Sequence, residues 1–317
     1  MNLLIAGLLV MALGTNAEAR RYRRAHSQDP ANVCQMVPPN TQAFDQDPMD
    51  HANVDQTTFN QILDAVQAVY TPILAARGGR LVIDRLWTND EANAFADRPG
   101  GNVWAIHMFG GLARHPNMTP DSMLLVACHE LGHHLGGAPK YTTGWNASSE
   151  GEADYYGVLK CMRLVLRHYD NVRVVQAEGA QVTPDIVQRC RSVGSDNQTL
   201  AACVRSVIAG QHLAAVLTDL ENTEAAQQKG PTFAIPSLTT PDPKQVPVTL
   251  FNVYPGLQCR FDTYVAGSIC PASADQSMDD RDPAVGSCYR PAAGLVVQSA
   301  GAVQFAPGAR PACWFRQ

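Results

Sequence analysis

Apolar residues recur along the 317-residue chain at two spacings, and these predict its elements. Phe59, Ile62, Leu63, Val66, Val69 and Tyr70 share one face of a helix that Gly78-Gly79 stops. Leu81 to Trp87 and Val103 to Phe109 read as strands, the second after a Pro99-Gly100-Gly101 turn. Thr119-Pro120-Asp121 opens another helix with a capping hydroxyl, a first-turn proline and an acid at the positive dipole end. Gly136-Gly137 closes it. Ser148-Ser149 cap the next helix, whose Tyr155, Leu159, Met162 and Leu166 form a core stripe. Two more follow near Pro184 to Arg191 and Leu200 to Gln228. Past Gly230 the periodicity fades into Pro, Gly, Ser and Cys. The pattern predicts an α+β fold: a polar arm over 20–54, a mainly helical core with a small sheet over 55–228, and an irregular stapled segment over 229–317.

Composition then narrows the setting. Leu3 to Leu13 is too short to span a bilayer, and Ala17-Glu18-Ala19 offers small residues for a signal peptidase. Residues 1–19 therefore read as a cleaved export signal, and no later window reads as a membrane span. A net charge of −5 with 17% charged residues gives no nucleic-acid footprint, and Arg20 to Arg24 reads as a solvated arm. Nine cysteines without a C-x-x-C pair read as disulfides in a periplasmic or extracellular compartment. Cys190 is expected to pair with Cys203, and Cys259, Cys270, Cys288 and Cys313 among themselves. Cys128, inside an apolar helix, is expected to be the free thiol. The sequons at Asn117, Asn146 and Asn197 matter only where the host glycosylates exported proteins.

The chemistry concentrates in LLVACHELGHHLGG, residues 124–137, where polar groups interrupt an apolar run. Buried polar groups need partners, so these must bond to one another, face a cleft or hold a ligand. On a helix, His129 and His133 lie one turn apart on the same face and can share one zinc, with Glu130 beside the open coordination position. His134 is turned about 100° further round and reads as a supporting or solvent-facing group. Downstream, in SSEGEADYYG, Glu150 and Asp154 are one turn apart while Glu152 faces away. That makes Glu150 the third ligand and Asp154 the carboxylate orienting a ligand histidine. Glu152→Ala is expected to retain metal like the wild type.

These stretches resemble the gluzincin metallopeptidases that include the CAAX prenyl proteases and the heat-shock protease HtpX. NAFADRPGGNVWAIHMFGGL, residues 93–112, is similar to that family's edge strand and following turn. HELGH at 129–133 and EGEAD at 150–154 match its ligand motifs, and YPGLQCR at 254–260 resembles its H-P segment followed by arginine. Pro255 and Arg260 keep the spacing, but Tyr254 stands where the family carries histidine. The resemblance implies a zincin-type core and one zinc per chain held by His129, His133 and Glu150. It also implies Glu130 as general base acting on a peptide or protein substrate. Tyr254, or else His134, is the candidate donor to a developing oxyanion, and the resemblance counts Arg260 in the catalytic machinery. An extended peptide is expected to pair with the strand at Val103 to Phe109 or with the Asn93 segment. The rival expectation is a non-catalytic zinc protein that binds a peptide or envelope partner on the same scaffold.

Overall fold

The computed structural model describes residues 33–46, 53–141, 144–289 and 307–316. The export signal and the basic run at 20–24 lie outside them. The described residues form an α+β structure with a four-stranded mixed sheet and four disulfides.

The sheet is ordered β1 (Val33–Gln35), β3 (Ala94–Gly100), β4 (Val103–Phe109), β2 (Arg80–Leu86). β3 and β4 form an antiparallel hairpin whose turn uses positive φ at Gly100, Gly101 and Asn102, while β2 runs parallel to β4. Helix α1 (Gln56–Ala75) starts at Asp55, whose carboxylate caps Thr58 N–H, and buries Phe59, Leu63, Val66, Tyr70 and Leu74. It packs on β2 and on α2 (Pro120–Leu135), the helix that carries HELGH. α2 begins with a capping box in which Thr119 and Ser122 serve each other's backbone, and Gly136 caps its end.

α3 (Glu150–Tyr156) runs on through a π-helical stretch, Gly157–Met162, into Arg163–Leu166. α2 and α3 lie very close, and Gly132 is why. A Cβ there would sit 2.7 Å from both Ala153 Cα and Ala153 O, so only glycine permits the approach. The last helices are α4 (Asn171–Glu178), α5 (Pro184–Cys190), α6 (Asn197–Gln227) and α7 (Leu257–Ile269). α6 holds a window apolar and long enough to cross a membrane, contrary to the expectation that none followed residue 19. That window is 78% buried within the protein, as a core helix would be.

Three further expectations change. The segment past Gly230 is not wholly irregular, since α7 buries Phe261, Tyr264, Val265 and Ser268 against α6 and α3. The arm over 20–54 supplies β1, and Met36, Val37 and Val54 join the core. Cys128 is not free: it bonds Cys161 on the π-helical stretch, and Cys34 in β1 is the unpaired thiol. Cys190–Cys203, Cys259–Cys313 and Cys270–Cys288 complete the set, the last two holding both ends of α7. Four disulfides suit an oxidising, extracellular-type environment.

Candidate metal centre

α2 presents His129 and His133 to α3, and the Gly132 contact brings Glu150 opposite them. His129 Nδ1 lies 2.7 Å from Asp154 Oδ1, and His133 Nδ1 lies 2.8 Å from Ser148 O. A neutral imidazole has one N–H, and these acceptors claim it on each ring. With both rings neutral, the two Nε2 atoms carry the lone pairs that a metal can take, and they face each other at 3.1 Å. Two lone pairs at that distance repel, and either a proton on one nitrogen or a metal ion held by both relieves the repulsion. A tetrahedral zinc 2.0–2.1 Å from each nitrogen would set them about 3.3 Å apart.

Glu150 Oε2 is 3.3 Å from His129 Nε2, and Oε1 is 3.6 Å from His133 Nε2. Tyr141 donates to Oε1 at 3.0 Å and fixes the carboxylate. Glu130 also has an oxygen within 4.8 Å of both histidines. Glu150 fits the third ligand better, because its oxygens reach both nitrogens at the edge length of one tetrahedron. Both oxygens of Glu130, and Oε2 of Glu150, are buried without a hydrogen-bond partner. An orphaned buried carboxylate is costly, and a metal with its water accounts for it. The residues present fit a zinc ion. A second grouping of Asp242 with Cys259 and Cys313 does not, because its two sulfurs are bonded to each other.

The electrostatics follow the same geometry. Burial alone would lower His129, but the Asp154 carboxylate outweighs it and raises the imidazole to about 9. Burial lowers His133 to about 4, against the pull of Glu150. Burial raises Glu130 to about 8, although His129 beside it opposes the rise. Asp154 is held down to about 2 despite burial, chiefly by Arg260 and then His129.

Arg260, expected in the catalytic machinery, meets the centre through Asp154. Its Nε and Nη2 bond both Asp154 oxygens at 2.8 and 2.9 Å, and Asp154 in turn orients His129. Arg260→Lys keeps the charge but loses the planar fork. It should fold and lower zinc affinity roughly 10–100-fold, as losing an outer partner of a ligand histidine usually does. Chelator competition measures this. An unchanged affinity would remove Arg260 from the site.

His134 faces neither solvent nor the His129–His133 pair. Its Nε2 bonds Ala105 O at 2.9 Å, its Nδ1 accepts from Arg98 at 3.0 Å, and its ring lies between Trp104 and Trp145. With both nitrogens engaged, it offers no oxyanion donor. Glu152 does face away from the histidines, but it is buried and paired with Arg310. Tyr254 donates to Gln35 O at 2.8 Å. β3 is not an edge strand, because β1 pairs along it, and β4 lies between β3 and β2. Neither strand expected to receive a peptide is open in this form. Set against known proteins, the chain matches no family model, no curated protein and no solved structure.

Proposed function

We propose that this protein is an exported zinc-dependent endopeptidase with a gluzincin-like centre. One observation carries the reading: two imidazole Nε2 atoms meet at 3.1 Å, ringed by two carboxylates with unpaired buried oxygens. His129, His133 and Glu150 would hold the ion. A bound zinc supplies an acidified water and polarises the scissile carbonyl. Glu130 takes the water's proton and hands it to the leaving amine, and its pKa, raised by burial, suits holding that proton between the two transfers. Asp154 and Arg260 keep His129 in the tautomer that leaves Nε2 free. Tyr254 is the remaining side-chain candidate to donate to the carbonyl oxygen.

The rival reading, a non-catalytic zinc protein, is favoured by one fact: the four central side chains are at most 1% exposed. A digest of a peptide library with purified protein, with and without chelator, separates the two. Chelator-sensitive cleavage supports the peptidase, whereas zinc retention without cleavage supports the rival. Independently of activity, the wild type should retain about one zinc per chain through dialysis, and Glu150→Ala should not. Full zinc in Glu150→Ala would transfer the third ligand to Glu130.

A further inference from the structure

A peptidase must admit a peptide beside its metal, so the burial of this centre needs a cause. The cover is β1 and the residues just after it. Val33, Cys34 and Gln35 pair antiparallel with Asp97, Ala96 and Phe95, and Met36 N–H donates to Ala94 O at 2.9 Å. This is how an extended peptide adds to a sheet edge: main-chain bonds hold it and alternate side chains fill pockets. Cys34 and Met36 point to one face of the strand and are buried, as is Val37.

The groups that receive this segment belong to the metal centre. Arg260, which braces Asp154, donates to Met36 O at 2.9 Å. Tyr254, the candidate oxyanion donor, donates to Gln35 O, so a backbone carbonyl of β1 already occupies it. Asn93 brackets Val37, accepting from its N–H and donating to its carbonyl. β1 also touches α2. Glu150 and Glu130 lie near enough to add to the rise that burial imposes on the Cys34 thiol. Beyond β1, the chain continues along a cavity of about 210 Å³ lined by Val37, Pro38, Leu220, Glu221, Tyr254 and Arg260.

Resting on the peptidase reading, we propose that Val33–Val37 is a built-in stand-in for substrate. It occupies the groove along β3 where an extended peptide would lie and keeps the enzyme latent until it is displaced or cut away. A tethered segment faces its own groove at an effective concentration of about millimolar. With an intrinsic affinity of about 10 μM it would keep roughly 99% of molecules closed, so removal should raise turnover on the order of 100-fold.

The test uses the full zinc-loaded chain with a site-specific protease sequence inserted between Pro48 and Met49. It folds intact, is cut, and loses the N-terminal fragment by gel filtration, confirmed by mass. Turnover of a mixed fluorogenic peptide library and the rate of zinc removal by dipicolinate are measured before and after. Cutting should raise turnover roughly 100-fold and speed zinc removal, and a synthetic peptide of residues 33–40 should inhibit competitively where a scrambled one does not. Met36→Pro, which deletes one ladder bond and leaves the chain uncut, should give intermediate rates in both assays. An intact chain that already turns over as fast as the cut one, with zinc removal unchanged, overturns the stand-in and leaves the peptidase standing. Zinc removal that quickens on cutting while neither form hydrolyses any peptide overturns the peptidase reading, and latency with it.

Discussion

Glu130→Gln should retain its zinc and lose peptide hydrolysis by roughly 10²–10⁴-fold in kcat, the usual contribution of a positioned acid–base group. The substitution is nearly isosteric, and no hydrogen bond to Glu130 has to be replaced, since neither oxygen has a partner among the described residues. His129, His133 and Glu150 keep their own supports in Asp154, Ser148 and Tyr141, so the ligand set should stand. Removing a buried carboxyl whose burial penalises its ionised form should leave stability equal or slightly higher. The expected combination is therefore one zinc, an unchanged or raised Tm and a collapsed kcat. Wild-type turnover in this variant would remove Glu130 as the base and pass the proton transfer to another group.

Much of the centre was legible because helix geometry is local. One turn separates His129 from His133 and Glu150 from Asp154, and those intervals alone put each pair on a common face. The same arithmetic turned Glu152 away from the histidines, as the structure has it. It could not say that Arg310 waits on that other side, because their pairing spans 158 residues of chain. β1 was missed for a related reason. Three residues in a Pro-rich polar arm give no periodic signal, and the strand exists only because β3 offers it a partner. That omission made β3 look like an open edge. Cys128 failed as a free thiol because an apolar helix was taken to exclude a bond. The close α2–α3 packing that Gly132 permits brings Cys161 to within 5.3 Å, Cα to Cα. α7 did carry a readable stripe in Phe261, Tyr264, Val265 and Ser268, but the surrounding prolines, glycines and cysteines hid it.

Glu152→Ala, which sequence alone expects to keep its zinc, should do so but destabilise the fold by about 3–5 kcal/mol. Glu152 and Arg310 form a bidentate pair at 2.6 and 2.7 Å, and neither is more than 2% exposed. Arg310 also bonds Pro283 O and Ser287 Oγ, and its guanidinium lies over Tyr155. The pair thus ties the end of the chain to the helix that carries Glu150. Truncating the acid strands a guanidinium that water cannot reach, and most of the loss comes from that stranded charge rather than from a missing attraction. The double variant Glu152→Leu with Arg310→Met removes both charges at similar volume, so it should recover most of the stability lost by the single change. Urea midpoints of the wild type, both single variants and the double variant measure this, with zinc content followed in parallel. A Glu152→Ala midpoint equal to wild type would show that the buried pair adds nothing. Loss of zinc without loss of stability would mean that Glu152 acts on the metal after all.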